Sequence, residues 1–236
     1  MSRSTALLIL TVAFACDPST TAPDGAGSDG PQPSFKQGPS DQPCVGQLGP
    51  GTFHNVFVPP GAACNLSNST LTGNLTALEG STLHAADNVI HGNVEGDKAD
   101  IVQIGLGVVR GDIVLRESTF DPGPGECCDA VFVNNLVVEG DIQIQKNVVN
   151  TIVVGLVTVN KGKIRIEDNT TSFALEVTRN TVAKNLRVFK NQGIGEKTVT
   201  GNTVGQNLQC FQNDPPFVGG PNTAKQAHGQ CFVGVP

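Results

Sequence analysis

Residues 178–213 read TRNTVAKNLRVFKNQGIGEKTVTGNTVGQNLQCFQN, and this stretch repeats itself after 22 residues. Thr178, Asn180, Thr181, Val182, Asn185, Leu186, Phe189 and Asn191 recur as Thr200, Asn202, Thr203, Val204, Asn207, Leu208, Phe211 and Asn213. The pattern apolar, any, apolar, any, any, Asn extends backwards from there, through 186–191 and 164–169 to 142–147. Earlier still, Val56, Leu75, Val94 and Ile113 follow one another at a spacing of 19, and an insertion around 121–129 stretches the next step to 29. Leu71, Ile90, Val109, Val138, Val182 and Val204 each sit four residues ahead of an anchor. Gly73-Asn74, Gly92-Asn93, Gly111-Asp112 and Gly140-Asp141 supply turns.

A period near 20, built from short β-branched runs and Gly/Asn turns, predicts a β-solenoid. No coil buries its own apolar side, so each stacks on its neighbours and the alternating residues make one continuous core. The expected fold is all-β: a single-domain, right-handed parallel β-helix of about eight coils, roughly 40 Å long at the spacing of adjacent strands. Asn147, Asn169, Asn191 and Asn213 are expected to stack as an internal ladder of side-chain amides. No 3.6-residue stripe supports a helical repeat.

The flanks divide the chain further. Residues 1–15, with Arg3 ahead of an apolar run and Ala13-Phe14-Ala15 before Cys16, read as a secretory signal peptide. Cys16 at that place predicts lipidation of a bacterial-type lipoprotein; ordinary cleavage there predicts a freely secreted protein. With seven cysteines in the chain, lipidation of Cys16 leaves an even set. Membrane contact is expected only through that lipid anchor. Residues 16–43 are rich in Pro, Gly and Ser, too polar to fold, and form a tether. The solenoid then spans 44–213, and 214–236 is an irregular capping tail.

The remaining cysteines mark the ends. Cys44 and Cys64 would seal the first coil, and Cys210, in the inward slot held by Ile144, Ile166 and Val188, would fasten the tail through Cys231. Cys127 and Cys128 are adjacent in the insertion, open to a vicinal or an intermolecular bond. The tail, with Asn-Leu-Gln-Cys at 207–210 and Gly-Gly-Pro-Asn-Thr at 219–223, resembles secreted bacterial proteins with the same repeat-then-tail layout. Those proteins carry no assigned activity, so the resemblance implies architecture and no chemistry.

Net charge is −6, which argues against nucleic-acid binding. Residues 79–141 hold twelve acidic and three basic side chains, whereas 161–197 hold eight basic and four acidic. The solenoid is therefore expected to be acidic in its middle and basic towards its far end. In the basic part, Arg165 and Arg187 share an outer column one coil apart, with Phe189 and Phe211 on the next column. Stacked guanidiniums repel, and an anion would relieve them. The alternative is that the tail, with Phe217 or Phe232, folds back over the two Phe. In the acidic part, Asp112 and Asp141 hold equivalent turn positions. Together with Glu95, Asp97 or Glu139 they would offer oxygen ligands to calcium, unless they only serve the turn, as Asn74 and Asn93 do. No other cofactor is indicated.

Arg110-Gly111-Asp112 falls on a repeat turn, the four His lack metal-ligand spacing, and no Gly-x-Ser-x-Gly elbow occurs. Sequons stand at Asn65, Asn68, Asn74 and Asn169. The expected function is a non-enzymatic rod of the cell envelope or extracellular space that binds an anionic polysaccharide or an envelope protein. Two alternatives are a β-helix polysaccharide lyase or hydrolase, weakened by a lack of Trp and Tyr, and a self-assembling scaffold of the bactofilin kind.

Overall fold

Alternation along each short strand decides which side chains go inside. Leu75, Val94, Ile113, Ile142, Ile164 and Leu186 are in-register parallel partners, and all are fully buried. Further inward columns line the other two faces. One runs Cys64, Leu83, Val102, Val131, Ile152, Leu175. The other runs Leu71, Ile90, Val109, Val138, Val159, Val182, Val204. In the computed structural model, which describes residues 41–120 and 130–231, these columns, with a second inward column on two of the faces (Leu115, Ile144, Ile166, Val188 and Ile104, Val133, Val154, Val177), are the core of a parallel β-solenoid of about eight coils. All 24 strands join one sheet that winds around three faces. The predicted signal peptide, Cys16, most of the tether, Cys127, Cys128 and Phe232 lie outside the described residues.

The change of period falls mainly at one corner. Partners are 19 residues apart where Asn93 meets Asn74 and 22 apart where Asn169 meets Asn191. In one coil a single extra residue falls between Val159 and Ile164, and most of the extra residues lengthen the corner between the first and second faces. There Val148–Gly155 pairs with Thr170–Thr178 through a register shift between Val149 and Thr151. The chain leaves for the insertion at the same corner, between Ser118 and Ala130.

Ladders of polar side chains bind coil to coil. Asn147 Nδ2 donates to Asn169 Oδ1, Asn169 to Asn191 and Asn191 to Asn213, each at 2.9 Å. Gln230 takes the next place, its Oε1 accepting from Asn213 Nδ2 at 2.9 Å. A second internal ladder, unforeseen from sequence, joins Asn180, Asn202 and Asn222. A third lines the outer turns: Asn55, Asn74, Asn93, Asp112 and Asp141 each use Oδ1 to accept the backbone N–H of the next coil. Buried amides are affordable because nearly every donor and acceptor is matched by the same residue one coil away.

Both ends are fastened. Cys44 and Cys64 form a disulfide with Cα atoms 5.5 Å apart, and Cys210 and Cys231 another at 5.2 Å. The tail differs from the irregular segment expected. Val218–Gly219 pairs in parallel with Thr198 and Val199, and Thr223–Gly229 lies along Thr203–Cys210. Over the described residues it builds another rung. At the other end Asp41–Pro43 already pairs with Asn55–Phe57, so stacking begins slightly before Cys44.

Two corners repeat a left-handed residue in coil after coil. Lys98, Glu117, Lys146, Asp168, Lys190 and Gln212 turn the first face into the second, all with φ between 54° and 60°. Asn68, Asp87, Leu106, Asn135, Leu156 and Arg179 turn the second into the third. Such residues carry a backbone cost. It is offset here by the inter-coil amide bonds that continue through both corners.

Candidate functional site

The first face is the one that carries the predicted cationic residues. Its strands Ile142–Gln145, Ile164–Glu167 and Leu186–Phe189 place two side chains each on the outside. One outer column reads Gln143, Arg165, Arg187, Gln209, and the other reads Gln145, Glu167, Phe189, Phe211. Arg165 and Arg187 are thus brought together on adjacent rungs, with the two Phe beside them.

Glu167, which the sequence argument passed over, changes the electrostatics. Its carboxylate, only 8% exposed, bridges both guanidiniums. Arg165 Nη2 lies 2.6 Å from Oε2 and its Nε donates to Oε1 at 3.3 Å. Arg187 Nε lies 2.9 Å from Oε1. The repulsion expected between the stacked arginines is therefore relieved inside the protein, with a net charge of +1 for the triad. The hydrogen bond to Glu167 raises the Arg165 pKa above its ordinary range, against an opposing effect of burial.

The Arg187 guanidinium carbon stands 4.6 Å from the centre of the Phe189 ring, and Lys190 Nζ lies 5.1 Å from the same ring. Both distances fall within cation–π range. Phe189 is half-buried, while Phe211 remains 39% exposed at the end of its column. Phe217 is buried and belongs to the core cluster.

In the acidic half, Asp112 and Asp141 stack as expected, but their Oδ1 atoms accept the amides of Asp141 and Lys163. Three of the proposed calcium ligands are drawn elsewhere: Asp97 to Arg116, Glu139 to Lys161, and Asp141 to Lys163. Lys161 holds the Glu139 carboxyl below its usual range, mainly by hydrogen bonding. Among the described residues no group of three or more His, Cys, Asp and Glu converges on one point. The turn role weighed for Asp112 and Asp141 is what the geometry displays, and it also occupies the aspartate of Arg110-Gly111-Asp112.

Of the sequons, Asn169 is buried in its ladder and Asn74 serves the outer ladder, whereas Asn65 and Asn68 are exposed. A cavity of about 490 Å³ opens between Glu79, Lys98, Asp100, Glu117 and Lys146. Burial raises the Asp100 pKa there. On the lengthened corner Val148, Phe173 and Ile194 are 49%, 73% and 90% exposed, next to a shallow cleft of about 220 Å³.

A second residue outside the sequence reading is Lys197. It stands 22 residues after Leu175 and takes its inward slot, 1% exposed. Its ammonium donates to the carbonyls of Gly193 at 2.9 Å and Gly195 at 3.3 Å. Burial lowers its pKa from the ordinary 10.5, and Asp214 partly opposes this. The unfolded chain then binds more protons between the lowered value and 10.5, so this lysine's contribution to stability rises with pH across that window. Urea midpoints measured from neutral to alkaline pH should show that rise relative to Lys197→Met. Parallel pH profiles would contradict it.

The class these features define is a disulfide-fastened parallel β-solenoid with one mixed cationic and aromatic face. No family model, curated protein or solved structure matches the chain.

Proposed function

We propose that the protein is an exported, non-enzymatic binding rod whose first face takes an extended anionic polymer. The observation that carries this reading is the Arg165–Glu167–Arg187 cluster beside Phe189. It puts guanidinium, amide and aromatic groups in straight columns along the solenoid axis. A linear polymer matches such a surface because each rung repeats at about 4.8 Å, and a glycan carrying carboxylate or sulfate groups meets both charge and ring faces. The two disulfides are compatible with an oxidising, extracytoplasmic setting. Anchoring through a lipid on Cys16 belongs to this proposal as well.

Affinity electrophoresis tests it. The purified protein should be retarded in gels containing polygalacturonate or dextran sulfate, more weakly as salt is added, and should leave the polymer intact. Cleared zones would replace this reading with the lyase or hydrolase alternative, and unchanged mobility in every gel would remove the polymer.

A further inference from the structure

Arg165 and Arg187 look equivalent in sequence, one repeat apart, yet Glu167 holds them in different ways. Arg165 turns its Nε and Nη2 edge onto the carboxylate, with Nη2 on Oε2 and Nε on Oε1. Its bidentate edge is spent inside the protein. Arg187 meets Glu167 as an ion pair, with its Nε 2.9 Å from Oε1. Its guanidinium lies against Phe189, and its two Nη groups take no partner among the described residues. The side chain is 40% exposed. A guanidinium pinned at Nε and backed by a ring presents its terminal pair of nitrogens as a fixed fork, the geometry that grips a carboxylate or sulfate with two parallel hydrogen bonds. Pinning also removes part of the rotamer entropy that a long exposed side chain otherwise loses on binding.

We infer that Arg187 is the residue that contacts the ligand's oxyanion, with Glu167 and Arg165 as positioning residues, an assignment that rests on the polymer-binding reading above. Gln209 follows Arg187 on its column and Phe211 follows Phe189. A chain lying along the axis therefore meets an amide and a ring one rung beyond the fork. This arrangement assigns the ligand as an oxyanion-bearing chain with hydroxyl groups and an apolar face, as in an acidic glycan.

The test uses two substitutions that keep the charge. Arg187→Lys loses the fork and the planar stack, so its affinity for polygalacturonate or dextran sulfate should fall at least about tenfold. Arg165→Lys still pairs with Glu167 but holds it less firmly, so its affinity should fall by a smaller factor, about two- to threefold. Both variants should melt near the unsubstituted temperature, because each keeps two cations beside the buried Glu167 carboxylate. Equal losses, or a larger loss for Arg165→Lys, would overturn the assignment and leave a simple positive field. Glu167→Gln adds net positive charge but releases the pin. Weaker binding supports its positioning role, and tighter binding contradicts it. Comparing the two polymers tells carboxylate from sulfate. If the unsubstituted protein binds neither, the polymer reading itself fails, a result distinct from equal behaviour of the two lysine variants.

Discussion

Replacing Asn191 by alanine should cost about 4 kcal/mol, the sum expected from leaving several buried polar groups unpaired at roughly 1–3 kcal/mol each. Asn191 is fully buried at the centre of the longer internal ladder. Its Nδ2 donates to Ile166 O and Asn213 Oδ1, both at 2.9 Å. Its Oδ1 accepts from the Asn169 backbone N–H at 3.2 Å and from Asn169 Nδ2 at 2.9 Å. Alanine strands the Asn169 donors and the Ile166 carbonyl in a space that water does not reach. Set against a total stability of about 5–15 kcal/mol for a typical domain, this one amide decides whether the far coils stay folded. Urea unfolding of Asn191→Ala beside Asn65→Ala, an exposed control expected within about 0.5 kcal/mol, measures it. A loss below about 1 kcal/mol would mean that the ladder bonds are readily replaced.

The second large effect is at Gly140. Its φ lies outside the left-handed region, so on backbone freedom alone Gly140→Ala would stabilise by about 0.4–1 kcal/mol. Proximity reverses the sign. A Cβ there would stand 2.6 Å from Gly111 O and 2.8 Å from Gly111 C, and closer still to Asp112 Oδ1. Two of those atoms are backbone of the coil below, so the coils themselves must part. Parting them stretches the 2.7 Å bond from Asp141 N to Asp112 Oδ1. Overpacking of this kind costs about 1–3 kcal/mol, and about 3 kcal/mol is expected because the obstruction cannot rotate away. A melting temperature equal to or above that of the unsubstituted protein would contradict the close stacking of these turns.

What the sequence made legible follows from repetition. Identity at an offset of 22 exposed the inward columns and the Asn147–Asn213 ladder, because a residue that bonds to its own copy must recur. The same repeat contained the second ladder, since Asn180 and Asn202 both matched, but the chain of bonds was visible only once Asn222 joined them. The closing rung was hidden for the opposite reason. Thr223–Gly229 keeps the backbone pairing with few of the repeat's side chains, and a register shift between Val204 and Asn207 breaks the spacing. The left-handed corners were equally silent, because Lys, Glu, Leu and Arg stand where Gly or Asn is the usual signal. Lys197 could have been placed by counting 22 from Leu175. Pattern reading excludes a charged residue from a core slot, and only the Gly193 and Gly195 carbonyls account for it.

At the candidate site, the sequence located Arg165, Arg187, Phe189 and Phe211 but missed Glu167. Alternation puts Glu167 on the Phe189 column, and its reach to both arginines depends on how adjacent columns lie across one rung. That carboxylate also alters the design of any test. Removing both arginines would leave Glu167 buried and unpaired, a strongly destabilising change, and a loss of binding would then be confounded with unfolding.

The most direct measurement is therefore affinity electrophoresis of a triple variant, Arg165→Gln, Glu167→Gln and Arg187→Gln, beside the unsubstituted protein in the same polyanion gels. The variant removes the charge cluster without orphaning a carboxylate. The account predicts retardation of the unsubstituted protein and free passage of the variant, with matching melting temperatures. Equal retardation of the two would contradict the claim that this face does the binding.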